Sequence, residues 1–229
     1  NRTCRVEGRR MRTSAWLLAL LLIIASCQGP DDKTDREHSP ENARVRIENL
    51  SLELLDKAED ERSLELFFLE RMLRNPAASV RQKAADVAGR TRFKAGALPL
   101  IEAAGSEKDS RVLEAMAFSL GQIGDGRALD LLSRLSRNEH QPSVQQAAVT
   151  ALGRIVTPDE NDLDWAIGVV GVLIEALEAP GMPELQREAA LSVWRHGEAA
   201  QAAIEVLSRL LLDESLEDPW QFAYALMKI

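Results

Sequence analysis

The chain has two cysteines, Cys4 and Cys27, and none beyond residue 27. A disulfide framework for the body of the protein is therefore excluded. Aromatic residues make up only 4% of the sequence, against 45% hydrophobic residues. Any core must rest on Ala, Leu, Val and Ile, which favours close-packed helices over a β-sandwich. Positive charge is in deficit: 28 Lys and Arg face 36 Asp and Glu, a formal net charge of -8. A general nucleic-acid binder is basic, so that class is set aside. No apolar run reaches the ~20 residues that a membrane-spanning helix needs. What the sequence does have is 229 residues, enough for one ordinary domain with a sizeable core.

The longest apolar run is short and stops abruptly. Residues 15–25 lie between Arg12, just after Met11, and the stretch Ser26-Cys27-Gln28-Gly29-Pro30. A basic start, an apolar core of this length and small residues at its end form a secretory signal. Residues 1–10 read as a leader ahead of Met11. The sequence Ile24-Ala25-Ser26-Cys27 resembles the bacterial lipoprotein box. That resemblance implies cleavage before Cys27 and acylation of its thiol, giving a membrane anchor through lipid. Gln28 in place of Asp then implies the periplasmic face of the outer membrane in a cell with two membranes. The part removed, residues 1–26, holds five Arg and one Glu, so the mature chain is more acidic still. Residues 28–42 contain no aliphatic or aromatic residue and read as a flexible tether carrying an idle, solvated His38.

From residue 43 onward helical periodicity dominates, and the sequence repeats itself. "VRQKAADVAGR" from Val80, "VLEAMAFSLGQI" from Val112 and "VQQAAVTALGRI" from Val144 start at equal intervals along the chain. "LQREAALSVWRH" follows from Leu185 after a longer interval, and a weaker copy, "DPWQFAYALMKI", starts at Asp218 after nearly the original one. With the first residue of each unit numbered zero, positions 0, 4, 8 and 11 share one helical face. Position 4 holds Ala84, Met116, Ala148, Ala189 and Phe222, and position 9 holds Gly89, Gly121 and Gly153. Each unit follows another amphipathic helix: Glu61 to Arg74, Gly96 to Ala104, Gly126 to Arg137, Trp165 to Ala179 and Ala199 to Leu212. Pro76, Pro142 and Pro183 fall near helix starts, and Ser79, Ser110 and Ser143 read as N-caps. Residues 43–57 form a further helix closing the N-terminal end.

The pattern Val-Arg-x-x-Ala-x-x-Ala-Leu-Gly-x-Ile resembles the HEAT repeat, in its short, Ala-rich subtype shared with phycobilin-lyase-like proteins. It covers residues 61–229. The resemblance implies an all-α fold over residues 43–229: a right-handed α-solenoid of antiparallel helix pairs, about five repeats long. Trp194 replaces the glycine of position 9, His196 replaces the isoleucine of position 11, and the longer interval between Val144 and Leu185 holds an insertion.

Catalytic patterns are not found. G-x-S-x-G is missing, and "GQIGDGR" from Gly121 lacks the Gly-Lys-Ser/Thr of a phosphate loop; it reads as a helix C-cap and turn. HEAT-repeat iron hydroxylases carry repeated His-Glu pairs, whereas His38, His140 and His196 are the only histidines and have no partner nearby in sequence. No metal site and no cofactor are expected. "DENDLD" from Asp159 lacks the glycine and distal Glu of a calcium loop and reads as an acidic helix cap.

Surface remains. Positions 2, 6 and 10 of each unit point away from the core. Position 10 reads Arg90, Gln122, Arg154, Arg195 and Lys228, a mostly basic ladder on an acidic protein. It either receives an acidic or extended partner or pairs with carboxylates of adjacent repeats and orders the stack. Trp194, Trp220 and Tyr224 gather in the last two units as core filling or as an interface anchor. The expectation is a lipid-anchored scaffold in the bacterial envelope that binds an unidentified protein partner, with no enzyme activity and no nucleic acid. Its rivals are an enzyme or accessory factor of the phycobilin-lyase-like class, handling a chromophore or small ligand, and a purely structural spacer.

Overall fold

Val80, Val112 and Val144 occupy equivalent settings. Each is fully buried near the start of the second helix of a helical pair. The computed structural model describes residues 40–137, 141–156, 162–213, 216 and 218–229. The chain divides into Asn1–Leu50 and Ser51–Ile229. Of the first part, only the opening turns of α1 (Pro40–Asp60) are described. Helix α1 starts at Pro40, ahead of the expected residue 43. Its proline lies in the first turn, where a missing N–H costs nothing.

The second part is an all-α, HEAT-like solenoid. After the end of α1 come five helix pairs: α2 (Leu66–Leu73) with α3 (Ala78–Arg90), α4 (Ala97–Ala104) with α5 (Ser110–Ile123), α6 (Leu129–Leu135) with α7 (Pro142–Leu152), α8 (Leu163–Leu177) with α9 (Pro183–Val193), and α10 (Ile204–Leu211) with α11 (Trp220–Lys228). The second helices stack in succession, α3 on α5, α5 on α7, α7 on α9 and α9 on α11. Their inner face follows the repeat. Positions 0, 4 and 8 are buried in the first four units, from Val80, Ala84 and Ala88 to Leu185, Ala189 and Val193. The first helices each contribute at least one fully buried leucine: Leu69, Leu100, Leu132, Leu173 with Leu177, and Leu207. Truncating any of these to Ala costs about 2–5 kcal/mol in transfer and cavity terms.

The position-9 glycines set the approach of neighbouring second helices. A Cβ on Gly89 would stand 2.6 Å from Ser119 Oγ, and one on Gly153 would stand 2.6 Å from Ser192 Cβ. In each case the glycine meets a small residue at position 7 of the next unit. Trp194 occupies the same place in the fourth unit. The helix α9–α11 step therefore cannot use a small-residue seam and is filled by rings instead, with Trp194 and Tyr224 edge to face at 6.1 Å between centroids.

Position 1 closes the turns. Gln145 Nε2 donates to Arg137 O at 2.6 Å and Gln186 Nε2 to Ala179 O at 3.2 Å. Arg81 Nη1 donates to Asn75 O at 2.9 Å, while its Nε meets Glu107 Oε2 at 2.6 Å. That guanidinium holds the Glu107 carboxyl below the usual carboxylate range.

Several local expectations need correction. Ser79, Ser110 and Ser143 are not N-caps; they lie inside the first turns of α3, α5 and α7, whose N-caps are Ala77, Asp109 and Gln141. Asp109 accepts from Arg111 N, so the carboxylate one residue earlier takes the capping role from Ser110. Pro142 claims the first helical position of α7 and pushes Ser143 inward. Helix α2 begins at Leu66 rather than Glu61, because α1 ends at Asp60 and the chain reverses through Arg62 at φ 48°. Two other readings agree with the structure. Gly124 caps α5 with φ 76°, its N–H donating to Leu120 O. Asp162 caps α8 by accepting from Trp165 N at 2.9 Å, although Asp159, Glu160 and Asn161 lie outside the described residues.

Candidate partner-binding face

Stacking the second helices places their positions 2, 6 and 10 in register on the side away from the inner face. The five ladder residues meet different fates there. Arg90, at the end of α3, is exposed but engaged: its Nη1 lies 3.0 Å from Glu59 Oε1. Glu59 also binds Lys83, which reaches Asp56 as well. Burial alone would raise the Glu59 pKa, but the bonds from Arg90 and Lys83 prevail and hold it low. Arg90 therefore joins α3 to the end of α1, the ordering role that was one of the two readings of the ladder. Gln122 is half-buried near the end of α5.

Arg154, just past α7, lies over the ring of Phe118 with its guanidinium carbon 5.4 Å from the centroid. Its Nη1 is buried and has no hydrogen-bond partner among the described residues. Burial without an acceptor is costly for a charged donor.

The last two ladder residues form a cluster with the C-terminal aromatics. Arg195 lies over the Trp194 ring at 5.5 Å. Lys228 Nζ is 5.9 Å from the Trp194 centroid and 5.6 Å from that of Tyr224. Trp220, 52% exposed, meets Tyr224 edge-on at 6.4 Å. Among the described residues neither Arg195 nor Lys228 has a carboxylate within ion-pair distance. Ring quadrupoles hold these cations in place and leave their outer sides open. Arg195, Lys228, Trp220 and Tyr224 are thus brought together, while Arg90 and Arg154 belong to other environments.

His196, just past the end of α9, fills the position of the repeat isoleucine. Its Nε2 lies 3.0 Å from Leu152 O, and its ring centroid is 6.2 Å from that of Trp165. A carbonyl acceptor requires that Nε2 carry the proton. Burial pulls the His196 pKa below its ordinary value; Arg195 adds to this and the bond to Leu152 opposes it. The imidazole acts as a neutral strut between α7 and the chain after α9.

One groove escaped the sequence reading. It has a volume of about 390 Å³ and runs across α3, α5 and α7 to Glu188 in the middle of α9. Helix α3 supplies Gln82 and Asp86, α5 supplies Glu114 and Phe118, and α7 supplies Gln146 and Thr150. All six stand at positions 2 and 6, so the signal was the same outward register that identified position 10. Burial raises the Asp86 pKa; Glu59 and Glu114 add to this, against Arg90 and Lys83.

Cys27 and His38 lie outside the described residues, as does His140. Among the described residues no group of three His, Cys, Asp or Glu is placed to hold a metal, and no helix is long and apolar enough to cross a membrane.

Comparison with curated proteins returns no match. Residues 65–153 match the family model for HEAT repeats, a stretch that runs from α2 through α7. This stretch is HEAT-like in sequence as well as in stacking, and α8–α11 extend the same stack beyond it.

Proposed function

We propose that the chain is a lipid-anchored HEAT-repeat scaffold that mediates protein–protein interaction in the bacterial cell envelope. The anchor reading is supported by the apolar run ending in Ile24-Ala25-Ser26-Cys27, and Gln28 favours the outer membrane. The scaffold reading is supported by the repeat match and by the helical stack, whose outward register presents side chains at regular intervals.

The observation that carries the reading is the cluster at the end of the stack. Two exposed cations, Arg195 and Lys228, are held on Trp194 and Tyr224 beside a half-exposed Trp220, with no carboxylate bound among the described residues. Rigid aromatic area beside fixed positive charge suits an acidic segment of a protein partner. The rings bury apolar surface and the cations select and orient carboxylates. The test is affinity recovery of the membrane-bound protein from its own cells. Arg195→Glu with Lys228→Glu should lose a partner that the unaltered chain retains. Equal recovery by both would refute the site.

A further inference from the structure

The groove over α3, α5 and α7 is built differently from the C-terminal cluster. Its lining carries three carboxylates, Asp86, Glu114 and Glu188, against one cation, Arg111, which Asp109 engages. Lys83 is held by Asp56 and Glu59, Arg90 by Glu59, and Arg111 by Asp109. Asp86 and Glu114, facing the groove from adjacent helices, have neither an ion pair nor a hydrogen bond among the described residues. Two carboxylates elsewhere in the stack do take a cation: Glu107 with Arg81, and Asp125 with Arg127. Glu188, at the far wall, accepts from Thr150 Oγ1 at 3.0 Å.

The rest of the lining completes a receptor for an extended chain. Phe118 is 41% exposed at the middle of the groove, and Ala115 and Ala147 keep the surface beside it low. Arg154 covers one face of the Phe118 ring, so the ring offers apolar contact to an incoming aliphatic stem rather than a second cation site. Gln82 and Gln146, two repeats apart, are half-buried and line the groove.

We infer that this groove binds an extended, Lys- or Arg-bearing segment of a partner protein, with Asp86 and Glu114 taking the cationic head, Phe118 the side-chain stem, and Gln82 and Gln146 the backbone. Long basic side chains match this order of groups, since their methylene stems lie along apolar surface while the charge reaches a carboxylate. The charge is opposite to that selected by Arg195 and Lys228. The inference shares with the scaffold reading only the premise of a protein partner.

The test is fluorescence anisotropy on the full chain in mild detergent. The probe is an unstructured Gly/Ser peptide carrying four Lys-Arg pairs, compared with the same peptide carrying Glu at those places. The basic peptide should bind and the acidic one should not bind in the groove. Asp86→Asn with Glu114→Gln should weaken the basic peptide at least tenfold, and Phe118→Ala at least threefold. Glu198→Gln, an exposed carboxylate outside the groove, should leave it unchanged. Circular dichroism confirms that the variants stay folded, and Phe118→Ala gives a second readout that leaves net charge untouched. No binding by the unaltered chain, or equal affinity in the groove variants, would overturn the inference. Either failure leaves the Arg195 and Lys228 recovery experiment unaffected, so the two readings fail separately.

Discussion

Gly121 lies directly against Ala151: a Cβ placed on Gly121 would stand 2.7 Å from the Cα of Ala151. The contact is with backbone, so no side-chain rotation relieves it. Gly121→Val should force α5 and α7 apart and destabilise the fold by about 1–3 kcal/mol. Gly168, in α8, has nothing within 4 Å of its would-be Cβ. There, replacing glycine with Ala should stabilise by roughly 0.5–1 kcal/mol through helix propensity. Urea unfolding of the two variants checks the pair. Similar effects at both positions would deny the close seam.

His196 makes stability depend on pH. Its folded pKa is depressed below the ordinary value of 6.5, so the unfolded chain takes up the proton first. The contribution is present in full above pH 6.5 and is lost as pH falls toward the folded value. His196→Ile, which restores the repeat residue, removes this dependence. Denaturant unfolding between pH 7.5 and pH 5 should show the unaltered chain losing stability relative to the variant. Parallel profiles would mean that the imidazole titrates alike in both states.

Cys27→Ala removes the thiol on which the anchor reading depends. The expected outcome is release of the protein from the membrane fraction into the soluble fraction. Sedimentation with membranes equal to that of the unaltered chain would contradict the lipid anchor.

The stack was legible because its determinants are local and recur. Val112 and Val144 are buried alike one stacking step apart, and the glycine of position 9 recurs in the sequence at Gly89, Gly121 and Gly153. The exception at Trp194 was also visible as a departure, though not its consequence, since Tyr224 belongs to a different helix well further along the chain. The ladder was harder to read. That Arg90 is engaged depends on Glu59, 31 residues earlier, and nothing in a sequence with 36 acidic residues singles out that one. Serine capping failed for a neighbouring reason: Asp109 and Pro142 compete for the same few positions and win them. The acidic groove was missed because position 10 alone was read from an outward face that also includes positions 2 and 6.

The most direct test of the central claim is photo-crosslinking in intact cells, with a photoreactive amino acid placed at Trp220 in one strain and at Ile167 in another. Both residues are about half-exposed, but only Trp220 belongs to the cation–aromatic cluster. A discrete crosslinked protein partner at Trp220, not at Ile167, and lost with Arg195→Glu and Lys228→Glu, is the predicted result. The same adducts at both positions, or a Trp220 adduct that survives the charge reversals, would contradict a scaffold that docks its partner there.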